Sequence, residues 1–357
     1  MQTYQVVPMK SWGNLPEENI PKWKDSKCDL VFTERRLALR PLPSCLSADY
    51  GGTSSIFKSI AAATTSSSVG KSSKTRDNNV KNQEPMIAVM AATTTRKIHR
   101  ASTKTIALFV FLLPSLIRTL DCGFRYMYVM GYDVGDPFYD TDAGMASVKA
   151  WFRVNVQEPL ARNGVTISLR TVRVNNSFKK PGPVFNEMAR AAYKDGADYF
   201  YRVNDDTELV GHWATQFVKA VHKYSPPVAI VGPACAQGNQ FILTHDFVPR
   251  IHMEIFEMNY YPPELKDWWM DDWMSLVYGR KRTFKVRKAE VIHHVKHHGM
   301  RYEVDRANEQ RLTGLVVLGR QKIHKWMLKN GFAQAEVAAF DADLSSGKYE
   351  FLDPGVR

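Results

Sequence analysis

The pattern of the stretch "GPVFNEMARAAYKDGADYFYRVNDDTEL", residues 182–209, predicts a helix followed by a strand. Pro183 near its start and Gly196 further on are typical first-turn and end signals of a helix. The segment "ADYFYRV" (197–203) is mostly apolar and aromatic, which predicts a buried strand. That strand closes on three polar side chains, Asn204, Asp205 and Asp206. Such residues either form a plain polar turn or present charge to a ligand.

The same alternation of strands and helices extends on both sides of this stretch. Apolar or alternating runs predict strands at 106–113, 124–133, 165–174 and 228–235, and helical spacing predicts helices at 145–162 and 211–224. This order predicts an α/β fold with a mainly parallel sheet and helices on both faces. In such sheets ligands bind beyond the carboxyl ends of the strands, where residues 204–206 and Asp133 lie.

Composition limits the class of protein without deciding it. The chain has 357 residues, 44% of them hydrophobic, and a formal net charge of +12. This charge suggests an anionic partner such as nucleic acid, phosphate or an acidic membrane surface, although a basic tail explains it equally well. Four scattered cysteines without a C-x-x-C pair indicate neither a zinc knuckle nor a disulfide framework, which leaves the redox compartment open.

Three regions are expected along the chain. Residues 1–103 are predicted to be a low-complexity, basic and largely disordered extension, because "IAAATTSSSVGKSSKTRDNNVKNQEP" (60–85) has no helical or strand period. Residues 104–318 form the main domain, and 319–357 a C-terminal helix and tail. The first thirty residues lack a continuous apolar core, so no signal peptide is expected.

The segment "TIALFVFLLPSLI" (105–117) has two interpretations. Its unbroken apolar run, 106–113, is far shorter than the roughly 20 residues of a bilayer span and matches a buried parallel strand. We therefore predict a strand, with a membrane anchor as the alternative. An anchor would imply membrane association in the Golgi or endoplasmic reticulum; otherwise the cytoplasm is expected.

Common nucleotide and hydrolase motifs are absent from the sequence. It contains no G-x-x-x-x-G-K-[ST], no G-x-G-x-x-G after the first predicted strand and no G-x-S-x-G. Asn204 and Asp206 are two apart on an extended segment, so their side chains point the same way. A carboxylate there suits Mg²⁺ or Mn²⁺, which prefer oxygen ligands.

Five stretches within about residues 104–305 resemble the GT-A-fold, nucleotide-sugar-dependent glycosyltransferases. "FNEMARAAYKDGADYFYRVNDDTEL" is similar to the helix, glycine, strand and D-x-D metal motif of that fold, although Asn204 stands where the motif usually starts with Asp. "PSLIR" and "GYDVGD" resemble the nucleotide-binding half. "DWWMDDWMSLVYG" (267–279) is similar to the acidic helix that carries a catalytic base, and "VIHHVKHHG" (291–299) to the segment that supplies a histidine metal ligand. No family within the fold is identified.

The resemblance implies a metal-dependent enzyme that moves a sugar from a nucleoside diphosphate donor, first of all a UDP-sugar, to a hydroxyl of a glycan, protein or lipid acceptor. The Mn²⁺ or Mg²⁺ ligands expected are Asp206, His298 and, as second choice, His294, with a solvated polar loop as the alternative for the histidines. The expected general base is Asp271 or Asp272. The alternative is that these two acids have no catalytic role and only stabilise the start of a helix. The residues expected at the nucleotide sugar are Pro114, Ser115, Arg118, Asp133, Asn186, Asn204 and Asp205. Trp268 and Trp269 are expected to stack on the acceptor, with a place in the core as the alternative.

Two other functions fit parts of the sequence. Asn204 permits a catalytically inactive scaffold of the same fold. The positive charge permits a nucleic-acid-binding protein, but the basic residues are spread along the chain and no nucleic-acid-binding signature is present, so nucleic acid is not the expected partner.

Overall fold

The computed structural model describes residues 42, 45, 84–237, 242–299, 301 and 308–342. The chain divides into two units, Met1–Leu39 and Arg40–Arg357, and every described residue belongs to the second. The predictions for residues 1–83, apart from residues 42 and 45, and for the tail after 342 lie outside the described residues.

The described residues form one mixed sheet of eight strands. The strands are β1 Met86–Ala92, β2 Arg125–Asp133, β3 Ile167–Val174, β4 Tyr199–Arg202, β5 Thr207–Leu209, β6 Ile230–Cys235, β7 Asp246–Pro249 and β8 Thr283–His293. Their order across the sheet is β3-β2-β1-β4-β7-β6-β8-β5. The pairs β3–β2, β2–β1, β1–β4 and β6–β8 are parallel, whereas β7 and β5 run antiparallel to their neighbours. The predicted α/β fold is confirmed.

Helices cover both faces of the sheet. They are α1 Leu113–Thr119, α2 Asp142–Phe152, α3 Glu158–Arg162, α4 Pro181–Lys194, α5 Ala214–Val221, α6 Ile251–Ile255, α7 Met270–Val277, α8 Glu309–Lys329 and α9 Gln334–Ala342. A π-helical turn, Arg153–Gln157, joins α2 to α3. Alternate residues of β1 enter two separate cores: Ile87 and Val89 pack with α1, α2 and α5, and Ala88 and Met90 with α4 and α7. The sheet is therefore buried on both sides, as its apolar parallel strands require.

The first strand lies earlier in the chain than expected. β1, "MIAVMAA", pairs with β2 on one side and β4 on the other, so the sheet begins before the predicted boundary at residue 104. The prediction of a strand at 106–113 is wrong, because Leu108–Leu112 forms a π-helical turn that continues into α1. A short run that is apolar on every side does not distinguish a buried strand from a buried helix.

The apolar segment 105–117 packs inside the protein. Leu108, Leu112 and Leu116 are completely buried in the core that also contains β1. Within the part of the chain that the structure describes, no helix combines the length and the hydrophobicity that a bilayer crossing requires.

A disulfide that the cysteine spacing does not indicate joins Cys45 to Cys122, 77 residues apart. The backbone N–H of Cys45 also donates to the carbonyl of Asn163, with N and O 2.8 Å apart. Leu42 and Cys45 pack against the core that contains α1. Cys45 is therefore attached to the α/β domain by a covalent bond, a hydrogen bond and apolar contact.

Candidate active site at the carboxyl edge of the sheet

Polar side chains from four chain segments meet at one edge of the sheet. β1, β2, β3 and β4 are parallel, so their carboxyl ends lie side by side. The ends of these strands and the segments that follow them carry four buried polar residues, Thr93, Asp133, Asn176 and Asp205. Hydrogen bonds between these segments show that the predicted edge is a connected polar site, as described below.

Asp206 lies beside a histidine from the far end of β8. β5 and β8 pair with Thr207 opposite His293, and this register places the His293 Nε2 2.9 Å from the Asp206 Oδ1. Asn204 Nδ2 is 3.3 Å from the same ring nitrogen. Burial raises the pKa of Asp206, but the hydrogen bond and charge of His293, together with the charge of Arg301, outweigh it and lower the pKa to about 2. The Asp206 carboxylate is therefore ionised at neutral pH.

Asp205 is held by an arginine instead. Arg301 donates to both carboxylate oxygens, with N–O distances of 2.7 and 2.5 Å, and Thr93 donates its hydroxyl to the same carboxylate at 2.7 Å. Arg301 also donates to the Thr94 carbonyl at 3.0 Å. Because bidentate arginine–carboxylate pairs combine charge with fixed geometry, this contact ties the loop after β1 to the loop after β4.

Asp133, at the end of β2, has two partners. Asn176 donates its Nδ2 to the Oδ1 at 2.9 Å, and Arg96 forms an ion pair with the Oδ2. The other Arg96 terminal nitrogen donates to the Lys179 carbonyl at 2.9 Å. Arg96 thus brings a cation to the predicted nucleotide edge from a segment whose sequence shows no clear pattern.

Arg202 connects the end of β4 to the acidic start of α7. Its guanidinium is buried, pairs with Asp246 at 3.2 Å and forms an ion pair with Asp271. Its Nη1 lies 3.4 Å from the Asn204 Oδ1. The structure therefore brings Asp271 to the same edge as residues 204–206.

The two neighbouring acids of α7 have different surroundings. Asp271 is paired with Arg202, whereas burial, together with the charge of Glu309, raises the pKa of Asp272 to about 6. A carboxyl group with this pKa changes its charge close to neutral pH.

The other expected metal ligands, His294 and His298, have hydrogen-bond partners other than the Asp206 carboxylate. The His294 Nε2 is 3.0 Å from Glu208, and its ring stacks on Phe111 with centroids 3.9 Å apart. The His298 Nε2 accepts the Ala107 N–H at 3.0 Å, and burial is the main cause that lowers the pKa of His298 to about 4. In the described ranges, no group of three or more His, Cys, Asp or Glu side chains is placed to hold a metal ion. The histidine that contacts Asp206 is His293, which was not among the metal ligands predicted from the sequence.

Several residues expected at the nucleotide sugar are used inside the fold. The buried Ser115 hydroxyl donates to the Leu112 carbonyl and accepts the Leu209 N–H. The Asn186 side chain donates to and accepts from the Tyr261 backbone, at 3.1 and 2.8 Å. Pro114 and Arg118 are half-buried in α1.

The two tryptophans expected at an acceptor directly precede α7. Trp268 is 41% exposed, and Trp269 is half-buried with a φ of 72°, directly before the helix. Trp268 is thus accessible to a ligand, and Trp269 forms part of the turn that begins α7.

No protein-family model and no curated protein matches the sequence. Similar solved structures include S. aureus TarS residues 1–349 in complex with UDP, with 13% identity, a TM-score of 0.42, and 72% of this chain and 70% of that chain covered. The same TarS segment in complex with UDP-GlcNAc matches at 12% identity and a TM-score of 0.42, with 72% and 71% covered. The chain spans only 42% of a longer TarS structure, at 11% identity and a TM-score of 0.37. These similarities are low, and they assign the chain to no family.

Proposed function

We propose that this protein is a glycosyltransferase that moves a sugar from a nucleoside diphosphate sugar to an acceptor hydroxyl. The observation that carries the proposal is the edge where Asp206, His293, Asp133 and two arginines from separate loops meet. Ionised oxygen ligands next to fixed cations suit a diphosphate and a divalent ion together. Asp271 lies at the same edge and supplies a carboxylate for the acceptor.

The side chains of Asp206 and His293 would hold the metal ion, Mn²⁺ or Mg²⁺. Their facing Oδ1 and Nε2 atoms are 2.9 Å apart, which matches neighbouring ligands in an octahedral shell with bonds of about 2.0–2.1 Å. Carboxylate and imidazole are both established ligand types for first-row divalent ions. When bound, the ion would neutralise negative charge on the departing diphosphate.

Asp271 is the general base in this proposal. Arg202 contacts both Asp271 and Asn204, so Asp271 lies within the group of residues at the end of β4. A base must reach the hydroxyl proton before its pKa matters, and a positioned carboxylate contributes about 10²–10⁴-fold to the rate. Arg202 orients this carboxylate without touching substrate.

Calorimetric titration with UDP, with and without Mn²⁺, tests donor binding. We expect Mn²⁺ to tighten UDP binding, and Asp206→Asn and His293→Gln to remove at least about tenfold of that effect. Asp142→Asn changes an exposed carboxylate of α2 and is the matched control. UDP binding that neither Mn²⁺ nor these two variants alter would refute the metal site.

Release of sugar from UDP-sugars tests the base. Asp271→Asn should slow transfer by about 10²–10⁴-fold and leave UDP affinity within a factor of two. Asp272→Asn is the comparison, because the pKa of Asp272 near 6 predicts an activity that falls as the pH drops below 6 if this acid is the base. If Asp272→Asn loses transfer activity and Asp271→Asn does not, and the fall in activity below pH 6 disappears in Asp272→Asn, then Asp272 is the base.

The alternative functions give other results in the same experiments. UDP binding without turnover of any sugar nucleotide would indicate an inactive scaffold, which Asn204 permits. Steeply salt-dependent oligonucleotide binding without UDP binding would indicate a nucleic-acid-binding protein.

We also propose that the protein matures in an oxidising compartment. The Cys45–Cys122 disulfide supports this, because structural disulfides are rare in the reducing cytosol. When the protein is isolated from its own cells under alkylating, non-reducing conditions, the reagent should leave Cys45 and Cys122 unmodified. Complete alkylation of both would contradict the proposal.

A further inference from the structure

Two large aromatic side chains are exposed beside the candidate active site. Phe178, in the loop between β3 and α4, is 53% exposed, and Trp268, in the loop before α7, is 41% exposed. Exposed rings of this size leave much apolar surface in water, where it is available to a ligand. We call two segments the paired loops: residues 175–182, which include the first two residues of α4, and residues 265–269.

Direct contacts hold the paired loops together. The Gly182 N–H donates to the Lys266 carbonyl at 2.6 Å, and the Lys180 ammonium pairs with Asp267 at 2.5 Å. The Asp267 side chain is completely buried, so this ion pair is shielded from water. A Cβ on Gly182 would lie 2.7 Å from the carbonyl oxygens of Leu265 and Lys266, so only glycine permits this approach.

The ring of Phe178 is oriented by a lysine. The Lys266 ammonium lies 3.7 Å from the centre of the ring, a cation–π contact between the paired loops. Since the residue is still 53% exposed, the lysine leaves a large part of the ring open to solvent. Asp267 fixes the other loop, because its Oδ1 accepts the Trp268 N–H at 2.5 Å.

The paired loops border both halves of the proposed active site. On one side, Asn176 donates to Asp133 and to the Lys180 carbonyl, at 2.9 and 2.8 Å. Arg96, the partner of Asp133, donates to the Lys179 carbonyl. On the other side, Trp268 precedes the proposed base Asp271 by three residues. One of the two aromatics thus lies on a loop that contacts the donor edge, and the other on the loop that leads into the helix of the proposed base.

We propose that Phe178 and Trp268 form a binding platform for the sugar rings of a carbohydrate acceptor. A pyranose ring has an apolar C–H face that packs on an aromatic ring and hydroxyls that remain hydrated, which suits a half-exposed platform. Of the possible acceptors, a glycan therefore fits this surface. This inference rests on the proposed function, since it assigns the acceptor class of the same site.

The test is binding of the full-length protein to a printed array of pyranose oligosaccharides, with UDP affinity measured in parallel. Phe178→Ala and Trp268→Ala should each lower the glycan signal, and the double variant should lower it at least tenfold. UDP affinity should stay within a factor of two. Leu318→Ala, which removes an equally exposed apolar side chain from α8, is the matched control and should change neither measurement.

A second variant tests the loops without touching either ring. Gly182→Ala should separate the paired loops and weaken glycan binding, with UDP affinity retained. Absence of glycan binding by the wild type, or full binding by the double variant, would overturn the platform. An equal loss of UDP affinity would overturn it too, since the rings would then belong to the donor site. Glycan binding without UDP binding would instead refute the proposed function and leave the platform standing.

Discussion

Replacement of Arg202 tests the packing of the whole site. The Arg202 side chain is 3% exposed and its partner Asp246 is 0% exposed. Arg202→Met keeps an unbranched side chain that fills part of the same space, but it leaves the Asp246 carboxylate buried with the Tyr260 and Tyr261 hydroxyls as its donors among the described residues. Removing one partner of a buried ion pair costs about 3–5 kcal/mol, so we expect a loss of that size in the free energy of unfolding.

Urea denaturation followed by circular dichroism measures this loss. Arg170→Met is the control, because Arg170 and Asp195 form a half-exposed pair whose removal should cost less than about 1 kcal/mol. A second variant, Arg202→Met with Asp246→Asn, should recover much of the loss, since it removes the uncompensated charge.

The dependence on pH sharpens the same prediction. Burial raises the pKa of Asp246, and Arg202 is the main group that opposes this. Without Arg202 the folded-state pKa rises further above the unfolded value, so folding favours the protonated form and the deficit should shrink as the pH falls. A loss no larger than that of Arg170→Met, or one that does not change with pH, would refute a charged Asp246 stabilised by Arg202.

Three further predictions concern the stability of the domain. Cys45→Ser combined with Cys122→Ser should lower the free energy of unfolding by about 4 kcal/mol in chemical denaturation, because the bridge closes a loop of 77 residues; an unchanged midpoint would contradict this. Burial lowers the pKa of His252 to about 4, so the free energy of unfolding should fall by roughly 3 kcal/mol as the pH drops from 6.5 to 4. His252→Gln should reduce this dependence on pH when unfolding is measured across that range. Gly144→Ala should destabilise the protein by about 1–3 kcal/mol in thermal unfolding, because the added Cβ would lie 1.8 Å from the Phe138 carbonyl oxygen; wild-type stability would show that the start of α2 can move.

Local pattern was sufficient for most elements between residues 124 and 235. The strand and helix at 124–133 and 182–196 are close to β2 and α4, because their periods differ and their ends carry proline, glycine or polar residues. Local pattern failed at β1 and at 106–113, two short apolar runs that are buried on every side. In such runs the choice between strand and helix depends on neighbours that are distant in sequence.

The sequence by itself determined that a strand ends just before residues 204–206 and that parallel neighbours bring other strand ends to the same edge, since side-chain periodicity and chain alternation are local properties. Only the tertiary structure decided which side chains stand there. The antiparallel register of β5 with β8 places His293, and not a neighbouring histidine, beside Asp206. Arg96 and Arg301 are the cations that pair with Asp133 and Asp205. Tertiary structure likewise brings Cys45 next to Cys122. These contacts span 37 to 96 residues along the chain, and at such separations it is the packing of the fold, not local sequence, that selects the partners.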